Sequence, residues 1–296
     1  MSNMRPSRNI LNAVGNTPCV ELHHVDPDGC ARIFVKLEGL NPTGSYKDRM
    51  ARSVIEKAER RGELKPGMTV VEATSGSTGS SLAFVCAITG YKFSVVSSDA
   101  FAEEKLKTIS TFGATVDIVH SPSGKITPEL IPSMHERAKE LSNGDGFYYA
   151  DQFSNPNFLV GYEGLGREML EQILEGIDAF CGAVGGAGMA MGVARVLKRR
   201  RPNVMWLSWS PLRRLFLLKD MGNMTLYDSA LAMEESESRT ISRRLAKEEG
   251  ILAGTSTGLN VVTAIELARK LGPGKVVVTV SCDTGLKYVR GNLYIS

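Results

Sequence analysis

Short apolar runs rich in β-branched residues alternate with longer stretches of helical period along almost the whole chain. Strands are predicted at Arg32–Leu37, Thr69–Glu72, Phe93–Ser97, Thr115–Val119, Ala179–Val184, Val204–Ser208 and Lys275–Val280. Apolar positions recurring every three to four residues predict helices at Lys47–Arg61, Thr78–Ile88, Glu103–Phe112, Pro128–Leu141, Val160–Leu174, Met189–Arg200, Arg239–Glu249 and Gly258–Leu271. Strands separated by helices form parallel βαβ units, so the pattern predicts an α/β fold with open, mostly parallel sheets. Ligands of such sheets gather where strands run into helices. Three of those turns are rich in Gly, Ser and Thr: Thr74 to Gly79, Gly182 to Gly188, and Gly254 to Gly258. One such turn is common punctuation. Three of them, each able to aim backbone N–H groups at an anion on a helix N-terminus, predict a ligand with several anionic groups.

Composition narrows the field. The 296 residues suffice for two domains or one large α/β unit, and 43% hydrophobic with 23% charged content is that of a soluble globular protein. The net charge of +3 gives no reason to expect nucleic acid or a membrane surface as a partner. The basic run Lys198 to Arg201 follows an apolar helical pattern and reads as a solvated helix C-terminus, where cations are favoured. Five scattered cysteines without a Cys-x-x-Cys pair, and four histidines, indicate neither a metal site nor a disulfide framework. Met1 to Ile10 is polar and lacks an apolar signal core, and no apolar run reaches membrane-spanning length, so a cytoplasmic protein is expected.

No Gly-x-x-x-x-Gly-Lys-Ser/Thr run is present, which argues against a P-loop nucleotide site. Gly182 to Gly188 has a loose likeness to a dinucleotide fingerprint, but the next strand ends Trp206-Leu207-Ser208-Trp209 without the acid that would hold a ribose. The segment Asn41-Pro42-Thr43-Gly44-Ser45-Tyr46-Lys47-Asp48-Arg49 is a turn in which Ser45 can cap a helix starting near Lys47. A lysine in a helix's first turn faces the positive end of the dipole. This helps depress its pKa and suits an imine-forming amine. By itself such a lysine reads as an ordinary surface residue.

In context, Ile33 to Glu38 followed by Asn41 to Arg49 resembles the cofactor-lysine motif of the cysteine synthase and cystathionine β-synthase family of pyridoxal-phosphate (PLP) enzymes. The resemblance continues in order through Val14-Gly15-Asn16-Thr17-Pro18, Glu72 to Gly79, Asp151 to Pro156, Gly185 to Met189 and Glu248 to Ser256. It implies a two-domain fold of type II, with the PLP cleft between open twisted sheets. The smaller, mobile domain would span 41–152 with 1–12, and the larger one 153–296 with 13–40. The resemblance places the cofactor on Lys47, its phosphate at Gly185, Gly186, Ala187, Gly188 and Met189, and its ring near Ser77 and Ser256. It places the substrate carboxylate on Thr74, Ser75, Gly76, Thr78 and Gln152, and it implies a homodimer. Lys47, once freed, would move the Cα proton. Ser256 would meet the pyridine nitrogen, with a helix N-cap as its plain structural alternative. A hydroxyl holds that nitrogen's proton less firmly than an aspartate, which favours loss of a β-substituent.

Three departures stand out. Ser77 replaces the family's loop asparagine, and Gly186 and Met189 replace two phosphate-loop threonines. The stretch from Trp209 to Ser238 lacks the family's glycine-rich segment. A more open cleft is expected there, with Leu212, Leu215, Phe216 and Leu217 packing locally. The implied reaction is β-replacement on an activated serine such as O-acetylserine or O-phosphoserine, giving cysteine or a related amino acid. The alternatives are a PLP-dependent β-eliminating lyase or deaminase, and a catalytically weak, non-enzymatic relative.

Overall fold

The computed structural model describes residues 8–26, 28–74, 76–183, 188–209, 229–231 and 235–295. Along the chain, β1 (Cys19–Glu21) and β2 (Arg32–Leu37) precede α1 (Lys47–Arg61), β3 (Thr69–Ala73), α2 (Ser77–Thr89) and β4 (Lys92–Ser98). There follow α3 (Glu103–Thr111), β5 (Thr115–Val119), α4 (Leu130–Leu141), β6 (Phe147–Tyr149) and α5 (Asn157–Gly161). Next come α6 (Glu163–Gln172), β7 (Ala179–Ala183), α7 (Gly188–Arg200), β8 (Met205–Trp209) and β9 (Ser229–Leu231). The chain closes with α8 (Glu235–Glu248), α9 (Thr255–Leu271) and β10 (Val276–Ser281). It divides into two compact units, one of Met1–Val14 with Lys47–Gly161 and one of Gly15–Tyr46 with Tyr162–Ser296.

The first unit holds a sheet of order β5-β4-β3-β6, parallel throughout. Helix α4 lies on it, with Leu130, Met134 and Ala138 packed against Val71, Ala73 and Val96. The second unit holds a sheet of order β1-β2-β10-β7-β8-β9, parallel except for the β1–β2 pair. All six residues of β10 are buried, as expected of a central strand covered on both faces, and its sequence is correspondingly near-continuous in apolar residues. Val261, Ala264, Ile265 and Ala268 of α9 close over Ile33, Val35, Ala179, Cys181 and Val277. Burial of these side chains away from water is the main term holding the layer together.

Both sheets are the α/β architecture that the alternation predicts. Helix α1 has the predicted bounds. The single helix predicted over Val160–Leu174 is instead two, α5 and α6, separated at Tyr162. Gly161 explains the break: a Cβ there would stand 2.6 Å from the Met50 Cα, so α5 ends jammed against the backbone of α1. The three-residue strands β1, β6 and β9 were not predicted, being too short to show a period. Of the predicted altered wall, residues 210–228 and 232–234 lie outside the described residues, and with them Leu212, Leu215, Phe216 and Leu217. Among the described residues, no helix is long and apolar enough to cross a membrane.

Candidate functional site

The turn that delivers Lys47 is built from buried polar contacts. The Asn41 side-chain amide donates to the backbone carbonyl and the carboxylate of Glu38, at 2.9 Å each, and its oxygen accepts the Gly15 N–H at 2.8 Å. Thr17 donates its hydroxyl to the other Glu38 oxygen at 2.6 Å. Gly44 has φ +74°, where a side chain would be strained, and a Cβ would also stand 2.6 Å from the Thr284 methyl. Ser45 forms an antiparallel bridge with Asp283, and Tyr46 donates its N–H to the Cys282 carbonyl at 3.0 Å. The turn is thus pinned to the chain leaving the carboxyl end of β10. The next residue is Lys47, the first of α1. Asp48 follows it, buried and accepting the Ser81 hydroxyl at 2.6 Å, and its charge suits a helix N-terminus.

The start of α9 lies at the same carboxyl end of β10 in the second unit's sheet. Ala253 bridges Thr284, and Thr257 Oγ1 accepts the Cys282 N–H at 3.0 Å. The cap position of α9 is Gly254, with no side-chain cap bond, and Ser256 is the second helical residue. The N-cap reading of Ser256 is therefore corrected: its hydroxyl is exposed and lies one residue beyond the start of the helix. Gly254 fits here because the Asp283 carboxylate and the Tyr288 ring press on its Cα, leaving no room for a Cβ. Tyr288 donates to Asp283 at 2.8 Å, and loss of hydration followed by that carboxylate's charge pushes its phenol well above the usual range.

Helix α7 opens at the third glycine turn. Gly185, Gly186 and Ala187 lie outside the described residues; Gly188 and Met189 begin the helix. The Met189 side chain is buried, and its methyl would stand 3.3 Å from a Cβ on Gly182 of β7. Only its backbone is thereby left for an anion. A Cβ on Gly188 would stand 3.7 Å from the Tyr162 ring, and that ring lies 5.4 Å from the ring of Tyr46. Tyr162 thus joins the residue before Lys47 to the first residue of α7.

In the first unit, Thr74, Gly76, Ser77 and Thr78 run from the end of β3 into α2; Ser75 lies outside the described residues. No side chain caps α2. A Cβ on Gly79 would stand 2.7 Å from Ile109 Cδ1 and 2.9 Å from the Thr74 methyl, so glycine lets the helix close onto this loop. Gln152 meets the loop from the end of β6, donating to the Ala73 carbonyl at 3.0 Å and accepting from the Thr78 hydroxyl at 2.9 Å.

A profile described as "Pyridoxal-phosphate dependent enzyme" matches residues 10–212. A cysteine synthase of Staphylococcus aureus (strain Mu50) is 40% identical, over 98% of this chain and 98% of its own. The chain belongs to the cysteine synthase and cystathionine β-synthase family of pyridoxal-phosphate dependent enzymes. Among solved structures, O-acetyl serine sulfhydrylase isoform 3 of Entamoeba histolytica matches with a TM-score of 0.91 and 28% identity, over 100% of this chain and 94% of that one. O-ureido-L-serine synthase matches with a TM-score of 0.88 and 32% identity, over 98% and 96%.

The family's cofactor needs an amine for its aldehyde, donors for a phosphate dianion and a partner for its ring nitrogen. The donor set of this chain fits. The first turn of α7 presents backbone N–H groups with no partner within the helix, and the exposed Ser256 hydroxyl stands at the start of α9. The turn ending at Tyr46 brings the chain to Lys47 from that same end of β10. Sequence reasoning missed Tyr162, which falls in the first turn of the helix predicted over Val160–Leu174. It also passed over Glu72, a fully buried carboxyl at the end of β3. An acid inside the apolar run Val70-Val71-Glu72-Ala73 was the available signal.

Proposed function

We propose that this chain catalyses β-replacement on an activated serine of the O-acetylserine or O-phosphoserine type, forming cysteine or a related amino acid. The observation that carries this is the lysine turn. Its last residue, Tyr46, is hydrogen-bonded to the strand-end segment that also anchors the start of the Ser256 helix, and its ring is joined through Tyr162 to the start of α7. The names of the relatives, cysteine synthase, O-acetyl serine sulfhydrylase and O-ureido-L-serine synthase, support the substrate class.

In this reading Lys47 holds the cofactor, the α7 N-terminus with Gly185 to Met189 holds its phosphate, and Ser77 and Ser256 face its ring. Bound pyridoxal phosphate supplies the electron sink for negative charge developing at Cα. The Lys47 amine takes the Cα proton and returns it. Thr74, Ser75, Gly76, Thr78 and Gln152 bind the carboxylate and so fix the Cα–H bond toward that amine. The compact unit 47–161 acts as the smaller, substrate-binding domain, and the other carries the cofactor. A cytoplasmic homodimer completes the proposal, in line with the family.

The test is to supply the PLP-loaded protein with O-acetyl-L-serine, or O-phospho-L-serine, and sulfide. Stoichiometric cysteine with little pyruvate is expected. Pyruvate as the main product would replace this reading with a β-eliminating lyase, and no turnover of either serine derivative would refute it.

A further inference from the structure

Glu72 belongs to no part of the chemistry above, yet it is fully buried beside the loop assigned to the substrate carboxylate. One of its oxygens accepts the Ala73 N–H at 2.8 Å and the other the Gln152 N–H at 3.0 Å. The Gln152 side chain turns back to the Ala73 carbonyl and to Thr78. The four contacts form a closed bracket between the ends of β3 and β6, with Thr78 on its rim. To present its N–H, Gln152 follows Asp151, whose φ of +50° is uncommon outside glycine. A strained residue held in place by such contacts is a feature of sites that need a fixed geometry.

Resting on the proposed carboxylate loop, we propose that Glu72 is a positioning residue for substrate binding. It fixes Gln152 and Thr78 toward the incoming carboxylate, and it admits that anion best while it is itself protonated. Burial pushes the Glu72 carboxyl up to about 8, against the two N–H bonds that favour its charge. Neighbouring charges add smaller effects of both signs. From the end of β6, Asp151 raises it; from α1, Lys47 lowers it. Also near are Tyr148 and Tyr149 of β6, whose phenols are pushed up by burial and further by Glu72. His135 of α4 is hydrogen-bonded to Tyr149 and is held below its usual range by burial. Asp48 of α1 is bonded to Ser81 of α2, and Lys105 of α3 lies over Gly76. Ionised Glu72 would place a second negative charge close to the substrate's own.

The experiment uses the PLP-loaded protein and acetate, a carboxylate that does not titrate in the range examined, followed by cofactor fluorescence. Between about pH 7 and about pH 9, acetate should bind the wild-type protein about fivefold more weakly at the higher pH. Glu72→Gln is neutral at every pH, like the protonated acid, so it should bind acetate at both pH values about as the wild-type protein does at the lower one, without the pH step. An infrared titration of the wild-type protein gives a second reading that needs no variant: a buried carboxylic-acid carbonyl band should vanish near pH 8. A pH step retained in Glu72→Gln, or no such band, overturns the role of Glu72. The same holds for flat acetate binding in a protein that still makes cysteine. A protein that makes no cysteine from either serine derivative overturns the proposed function instead.

Discussion

The Thr78 hydroxyl donates to Oε1 of Gln152 at 2.9 Å, joining two residues that stand 74 positions apart in the chain. Each has a polar group that a carboxylate would need, and each is held by the other before any ligand arrives. An incoming carboxylate can accept the Thr78 hydrogen bond in place of Gln152. Thr78→Val keeps the shape and deletes that donor. The variant should raise the KM for the amino-acid substrate roughly tenfold, the loss expected for one hydrogen bond to a charged group, with little change in kcat. Steady-state kinetics at saturating sulfide checks this.

A second lysine needs to be told apart from Lys47. Lys36 of β2 is fully buried, and its ammonium pairs with Glu168 at 2.8 Å while donating to Gln172 at 2.9 Å and to the Thr17 carbonyl. Lys36→Met removes one side of a largely buried pair and should destabilise the protein by roughly 3–5 kcal/mol in urea unfolding. PLP should remain attached to whatever fraction is folded.

Glu72 makes stability depend on pH in a direction opposite to that of a surface carboxylate. Burial pushes its folded-state pKa up to about 8 from an ordinary value of 4.5, so between those values the folded protein holds a proton that the unfolded chain has lost. Stability from this group is present below about pH 4.5 and is lost as pH rises to about 8. Wild-type protein should lose on the order of a few kcal/mol across that range relative to Glu72→Gln. Denaturant midpoints of the two proteins at matched pH values measure it.

Much of the fold is legible because burial leaves a period in the sequence. Helix α1 shows its apolar face in Met50, Ala51, Val54, Ile55 and Ala58, and β10 is almost continuously apolar. The break at Tyr162 is not legible, since it depends on the Gly161 Cα meeting the backbone near Met50, a contact between segments more than a hundred residues apart. The site divides in the same way. The lysine turn and the glycine turns have local signatures. The bracket of Glu72 with Gln152, and the Tyr46–Tyr162 ring contact, arise only when distant segments pack. The exposed second-position placement of Ser256 likewise follows from where α9 starts, which a run of Thr-Ser-Thr leaves open.

Locating the covalent link decides whether Lys47 carries the cofactor. Borohydride treatment of the PLP-loaded protein should fix one pyridoxyl group per chain, and peptide mapping should find it on Lys47. Lys47→Ala should then give an unlabelled protein that still folds. A pyridoxyl group on Lys36, Lys105 or any other lysine would overturn the role given to Lys47.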